Sequence, residues 1–261
     1  MSLEKAEALV IRQADFSESS RVVTFFSREF GRFSALAKGA KRLKGPFEAG
    51  LDLLSECRVV FIRKSAGTLN LLTESRLARR FQPQQPGIPD GLNRLYSGYY
   101  AAELLQGLTE EFDPHPGLYE LTLDTLRCLE LVESQPGSVV LNYELKLLQQ
   151  TGVLPNLTEC VVCGAAVELT GRYAHWVSQG GLLCSGCRSE EYAGTSVSAL
   201  AIEILRRFCD LSTLAAGRVC LTPQQLAECR RLSVSAIVSV LGRRPQTLRY
   251  LQFADSSFEK G

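Results

Sequence analysis

The sequence predicts an α+β chain of several domains, in which a small N-terminal barrel of five strands precedes a helical domain carrying an inserted four-cysteine element. Three observations carry this. Short β-branched and aromatic runs recur as far as Ser75, apolar residues then recur at spacings of three and four, and two C-x-x-C pairs interrupt the second pattern. The 261 residues, 45% of them hydrophobic, suffice for more than one core.

The five predicted strands are EALVIRQ, SRVVTFF, GRFSALAK, CRVVFIRK and TLNLLTES, with turns expected at Gly31 and Gly67. In the third, Arg32, Ser34, Leu36 and Lys38 share one face, while Phe33, Ala35 and Ala37 share the other. In the fourth, Val59 and Phe61 face one way and Val60 and Ile62 the other, so cover on both sides is expected. Five short strands suit a closed barrel such as the OB-fold; a sandwich or an SH3-like barrel shares the pattern. FQPQQPGIPDG, rich in Pro and Gly, ends the strand-rich part because it continues neither a helix nor a central strand.

Helical periodicity follows. Leu92, Leu95, Tyr99, Ala102 and Leu105 form one stripe, and Leu118, Leu121, Thr125, Leu129 and Val132 another. VVLNYELKLLQQTG gives a third helix ending at Gly152, and TSVSALAIEILRRFCD a fourth. TPQQLAECRRL opens a fifth, with Thr222 at the N-cap, Pro223 at the first helical position and Gln225 placed for a capping box. A sixth is expected through SVSAIVSVLGRR to Gly242. The expected division is a barrel over 1–80, a linker over 81–90, helical parts over 91–158 and 191–250 around a cysteine element at 159–190, and a flexible tail over 251–261.

In that element, Cys160 and Cys163 form one pair and Cys184 and Cys187 another, with twenty residues between. Two such pairs are the spacing of paired zinc knuckles, a zinc-ribbon-like arrangement in which four thiolates complete a tetrahedron around one structural ion. Gly164 and Gly186 are expected to supply positive φ in the two turns. His175, lying between the pairs, is an alternative ligand. Cys57, Cys128, Cys209, Cys220 and Cys229 read as small core residues. No span of about 20 apolar residues and no signal-peptide pattern appears, so a cytoplasmic chain with reduced thiols is expected.

Charge is divided unevenly. Residues 1–80 hold 15 Lys and Arg against 9 Asp and Glu, and residues 81–261 hold 14 against 19, so a net charge of +1 conceals a basic module joined to a mildly acidic one. The sharpest concentration is GRFSALAKGAKRLKG, where Arg32, Lys38, Lys41, Arg42 and Lys44 stand among glycines and alanines. Flexible Lys and Arg on a small barrel suit a nucleic-acid backbone followed without base reading, whereas a solvated loop is the plain alternative. Seven of the twelve phenylalanines belong to this module; most must fill the barrel, and Phe30 and Phe47, next to turns, are the candidates for stacking on bases. No phosphate loop is present, since Gly39 and Gly45 have the wrong interval, and neither H-E-x-x-H nor G-x-S-x-G occurs. With His115 and His175 as the only histidines, an enzyme is not expected, and a nucleic-acid-modifying site of carboxylates with an added metal is the enzymatic alternative.

Taken together, the strand-rich start with the glycine-bounded run from Gly31 to Lys41, the helical stretch YELKLLQQTGVLPNLTECVVCG, the cysteine quartet and LGRRPQTLRYL resemble the bacterial recombination mediator family RecO. The resemblance spans nearly the whole chain. It implies an N-terminal OB-fold, a helical domain with a zinc-binding element, and a nucleoid-associated role in recombinational DNA repair without enzymatic turnover. It also implies binding of single- and double-stranded DNA, strand annealing and, with RecR, loading of RecA onto strands coated by single-strand binding protein (SSB). Onto this sequence it carries DNA binding for Lys38, Lys41, Arg42 and Lys44, with Arg12 and Arg21 as further candidates, and metal binding for Cys160, Cys163, Cys184 and Cys187. GPFEAGLDLLSE departs from the pattern as an insertion. A zinc-stabilised adaptor, whose basic module meets an acidic protein, is the competing reading.

Overall fold

In the computed structural model, which describes residues 2–42, 47, 51–65, 67–168, 170–176, 179–188 and 196–253, the first five strands close into a barrel. They are β1 (Ser2–Asp15), β2 (Arg21–Ser27), β3 (Gly31–Ala37), β4 (Glu56–Arg63) and β5 (Asn70–Arg79). Their order is β1-β2-β3-β5-β4, with β3 and β5 parallel and β1 paired to both β2 and β4, the layout of the OB-fold. The expected alternation holds: β3 buries Phe33, Ala35 and Ala37 while Arg32, Ser34 and Leu36 are half-exposed. In β4, Val59 and Phe61 are fully inside and Val60 and Ile62 half-covered. Phe33 stacks on Phe25 and Phe61 with centroids 5.3 and 4.3 Å away, so a small barrel is filled by large rings.

The GPFEAGLDLLSE departure finds its place in its described residues. Phe47 and Leu51 enter the barrel core, and Leu54 N donates to Val10 O at 2.8 Å while Val10 N donates to Ser55 O at 3.0 Å. That pairing sits at the bulge where the β1–β2 register shifts, between Val10 and Arg12. Leu54, 1% exposed, packs into the helical core, and Gly98 of the first helix has no side chain where Leu54 approaches.

The helices are α1 (Gly91–Leu108), α2 (Pro116–Leu129), α3 (Pro136–Gln150), α4 (Ala199–Asp210), α5 (Thr213–Gly217) and α6 (Pro223–Leu241), followed by a 3-10 turn at Thr247–Tyr250. Several expectations change, and Cys220, expected in the core, is exposed. The fifth and sixth predicted helices are one, α6, which starts at the anticipated Thr222–Gln225 capping box and ends at Gly242, φ +66°. Of the apolar stripe expected of α1, Ala102 and Leu105 are buried, Leu95 and Tyr99 half-buried, and Leu92 is 57% exposed, while Arg94, Ser97, Gly98, Ala101 and Leu104 are also buried. Arg94 is held inside because its guanidinium donates to Leu129 O (2.9 Å), Leu131 O (2.9 Å), Ser134 O (2.8 Å) and Ser134 Oγ (2.7 Å), capping the end of α2 and the chain beyond it.

α3 is the centre of the helical part, buried almost throughout. Its Glu144 accepts from Arg230 Nη2 at 3.0 Å, Tyr100 Oη at 2.8 Å and Ser233 Oγ at 2.7 Å, a buried network joining α1, α3 and α6. Burial, with the Glu144 charge beside it, pushes the Tyr100 hydroxyl well above its ordinary pKa. Between α3 and α4 lies a four-stranded sheet of β6 (Asn156–Cys160), β7 (Arg172–Trp176), β8 (Gly181–Leu183) and β9 (Ser196–Ser198), in the order β6-β8-β7-β9. Among the described residues no helix is long and apolar enough to cross a membrane.

Barrel and helices are locked together by the segment after α1. Phe112 N donates to Arg32 O at 2.8 Å, and Arg32 Nε donates to Thr109 O at 3.0 Å. The Phe112 ring lies against the barrel core, 6.1 Å from Phe33, with the Arg63 guanidinium 4.2 Å above it. Gly31, φ +63°, is required here twice over, because a Cβ would also fall 1.9 Å from Asp113 O.

Candidate nucleic-acid interface and metal centre

Two barrel turns meet to form the cationic edge. The β1–β2 turn is held by Phe16 N to Ser20 O (3.1 Å), and Lys41 N from the turn after β3 donates to Ser19 O (3.1 Å). Asp15 and Arg21 are register partners across β1 and β2. The Asp15 carboxylate reaches Arg21 Nε at 3.3 Å and Lys41 Nζ at 3.0 Å, so one anion joins two cations. Its pKa is lowered chiefly by the Lys41 hydrogen bond, with Arg21 adding to it. Arg21 also donates to Gln13 Oε1 at 3.3 Å.

The other predicted cations fall into distinct settings. Gly39, φ +75°, lets the chain reverse so that Arg42 N donates to Gly39 O at 3.0 Å, and Lys38 and Arg42 stand exposed with no ion pair among the described residues. Lys44 lies outside the described residues. Arg12 is exposed on β1, at the mouth of a groove between barrel and helices that Tyr99, Glu103 and Arg243 also line. Arg32 is placed differently: its side chain, 19% exposed, is engaged by Thr109 O and approaches Glu111 at 3.9 Å.

Of the two suspected stacking rings, Phe47 is core and Phe30 is half-buried against the core. Phe47 is 6% exposed within the barrel, and Phe30 packs edge-on against Phe61 at 5.6 Å. The ring offered to solvent is Phe16, 62% exposed beside Asp15. The signal for it was available: in ADFSESS a lone phenylalanine stands among Asp, Ser and Glu between two strands, where no core-facing position exists.

The four cysteines come together as their spacing requires. All four Sγ atoms lie within 4.8 Å of one another, and Cys163 Sγ is 3.7 Å from Cys184 Sγ. A tetrahedron with Zn–S bonds of about 2.3 Å has edges of about 3.8 Å. The first knuckle closes through Gly164 N to Cys160 O at 2.9 Å with Gly164 at φ +71°; the second closes through Arg188 N to Cys184 O at 3.0 Å, and Gly186 keeps an ordinary φ. Positive φ is thus needed in one turn only. Burial opposes ionisation of Cys160, but N–H groups of Cys184, Cys163 and Val162 aimed at its sulfur lower the thiol to about 6. Hydrogen bonds shared with Cys163 and Cys184 push the Cys187 thiol up to about 12. The quartet can therefore hold a metal ion, zinc included. His175 stays outside it, buried in β7 and kept neutral by that burial, with its pKa lowered to about 4.

Comparison with known proteins matches this layout. Residues 1–81 match the family Recombination protein O N terminal and residues 89–249 match Recombination protein O C terminal. A DNA repair protein RecO from Rhodopirellula baltica is 42% identical over 200 residues, covering 76% of this chain and 72% of the relative. One from Listeria monocytogenes is 31% identical over 79% of this chain and 77% of the relative, and one from Symbiobacterium thermophilum is 30% identical over 98% of each. Barrel, junction, helices and sulfur quartet thus lie within two matched regions that run consecutively along nearly the whole sequence, and the chain belongs to the RecO family of DNA repair proteins.

Proposed function

We propose that this protein binds single- and double-stranded DNA along the cationic edge of its barrel, anneals complementary strands, and with RecR mediates loading of RecA onto SSB-coated single strands. The observation that supports it is the convergence of Arg21, Lys38, Lys41 and Arg42 at two joined turns of an OB-type barrel in a RecO-family chain. Lys38 and Arg42 are the leading phosphate contacts, Lys41 and Arg21 stand beside them on the joined turns, and Arg12, Arg32 and Lys44 are further candidates. Each neutralised phosphate releases condensed counterions, which drives binding whatever the base sequence. Two strands whose repulsion is reduced on one surface can meet and pair through their own bases.

No bond in the nucleic acid is made or broken in that process, so the activity is non-enzymatic, in the cytoplasm at the nucleoid. One zinc held by Cys160, Cys163, Cys184 and Cys187 is structural, since four thiolates leave no position for a reacting water. It stiffens the helical part, whose surface meets the protein partners.

The test is titration with a labelled single strand at several salt concentrations, followed by addition of the complement and measurement of duplex formation. Salt-sensitive binding with accelerated annealing is expected. Absence of binding at low salt would turn the basic edge over to an acidic protein partner.

A further inference from the structure

Phe16 is, among the described residues, the one phenylalanine classed as exposed, at 62%. The turn does not need its ring. Residues 16–20 are closed by Phe16 N and Ser17 N donating to Ser20 O at 3.1 and 3.2 Å, and by Ser20 N donating to Ser17 Oγ at 3.2 Å. The turn is also held in place, because Lys41 N donates to Ser19 O at 3.1 Å. The turn is closed by backbone and Ser17 hydrogen bonds, so a ligand can cover the exposed ring without disturbing them.

Its neighbours indicate what covers it. Phe16 follows Asp15, and the Asp15 carboxylate occupies the position between Lys41 Nζ and Arg21 Nε, at 3.0 and 3.3 Å, that an oxyanion would take. Phe16 directly follows Asp15, so an exposed apolar ring and the cluster of Lys41 and Arg21 around one carboxylate belong to the same turn of the barrel edge. A planar apolar face with a phosphate attached fits both.

Resting on the DNA-binding reading of this edge, we infer that Phe16 is a base-stacking residue for single-stranded DNA, with the adjoining phosphodiester on Lys41 and Arg21. Base–aromatic stacking is indifferent to sequence because every base has a π-face. In a duplex those faces are already covered by neighbouring base pairs. Phe16 therefore gives the surface a preference for single strands that Lys and Arg alone do not supply.

The experiment compares the full-length protein with Phe16→Ala and Phe16→Trp on three probes of equal length: a single strand, the same strand with abasic sites, and a duplex. Phe16→Ala is expected to weaken single-strand binding about tenfold, as loss of one stacked base does, with an unchanged salt slope and duplex affinity within about twofold. Phe16→Trp should retain the affinity, the wild type should lose a similar factor on the abasic strand, and Phe16→Ala should not distinguish the two strands. An unchanged melting temperature checks that the exposed substitution leaves the fold intact. If the wild type binds single strands in a salt-sensitive manner and Phe16→Ala binds equally well, or loses single strand and duplex alike, the stacking role is wrong while the basic edge stands. If the wild type itself fails to bind at low salt, the DNA reading falls and the stacking role with it.

Discussion

Asp15 holds Lys41 at 3.0 Å, placing a carboxylate at the centre of the barrel's cationic edge. It also holds Arg21, so any phosphate approaching either cation competes with it. Asp15→Asn removes that competitor while keeping the shape of the side chain. Tighter single-strand binding is expected, about two- to fivefold at low salt, with a steeper salt dependence by roughly 0.7 if one more phosphate is engaged. Fluorescence anisotropy over a salt series reads both quantities; weaker binding by the variant would assign Asp15 a contact of its own.

Lys38 and Arg42 are exposed and carry no ion pair among the described residues, so their truncation should remove phosphate contacts cleanly. Lys38→Ala and Arg42→Ala should each flatten the slope of log K against log salt by roughly 0.7 on single strands, equally across unrelated sequences. Retained slope in the double variant would move the binding surface away from these turns.

The junction rests on Gly31. At φ +63° with Asp113 O 1.9 Å from any added Cβ, Gly31→Ala is strained by its own backbone and displaces the 109–113 segment. A loss of about 2 kcal/mol or more is expected, measured as a drop in Tm of about 5 °C. Arg32→Ala offers a contrast. Lower Tm with an unchanged salt slope would tie Arg32 to the junction, whereas a flattened slope with unchanged Tm would tie it to DNA.

Arg230 and Glu144 form an ion pair with neither side chain exposed. Glu144→Gln leaves a buried guanidinium without its counter-charge and should cost about 3–5 kcal/mol, read by urea unfolding. Replacing both with apolar residues of similar size should cost markedly less than the sum of the single changes. Additive losses would mean that the two groups are not energetically coupled.

The sulfur quartet should carry one zinc per chain in protein kept reduced. Chelation, or Cys163→Ser, should loosen the β6–β9 sheet, seen as faster amide exchange there, because metal binding contributes directly to folding. Cys220→Ser, exposed and outside the quartet, is the control and should change nothing. Elemental analysis without zinc in native protein would contradict the assignment.

Much of the architecture is legible in residue order. Strand alternation in β3, the Thr222–Gln225 capping box, the φ of Gly31 and the gathering of four cysteines are properties of short segments, and each appears where its local chemistry places it. The errors share a cause. The burial of Arg94 and exposure of Leu92 at the start of α1 follow from the carbonyls at and beyond the end of α2 that Arg94 reaches, thirty-five or more positions away in sequence. The fusion of two predicted helices into α6 follows from a buried seam, including Arg230 and Ser233, that continues across the supposed break.

The sequence by itself determined the barrel-then-helix order, the thiolate quartet and the accumulation of positive charge at the start of the chain. These depend on residue type and period, which set local backbone preference and the cost of burial. Only the tertiary structure decided which cations face outward, which one braces the junction, which share an anion, and why Phe16 rather than Phe47 meets solvent. Those outcomes depend on what a fold brings against each side chain from elsewhere, and a charge or a ring carries no mark in its own neighbourhood of the partner it will meet.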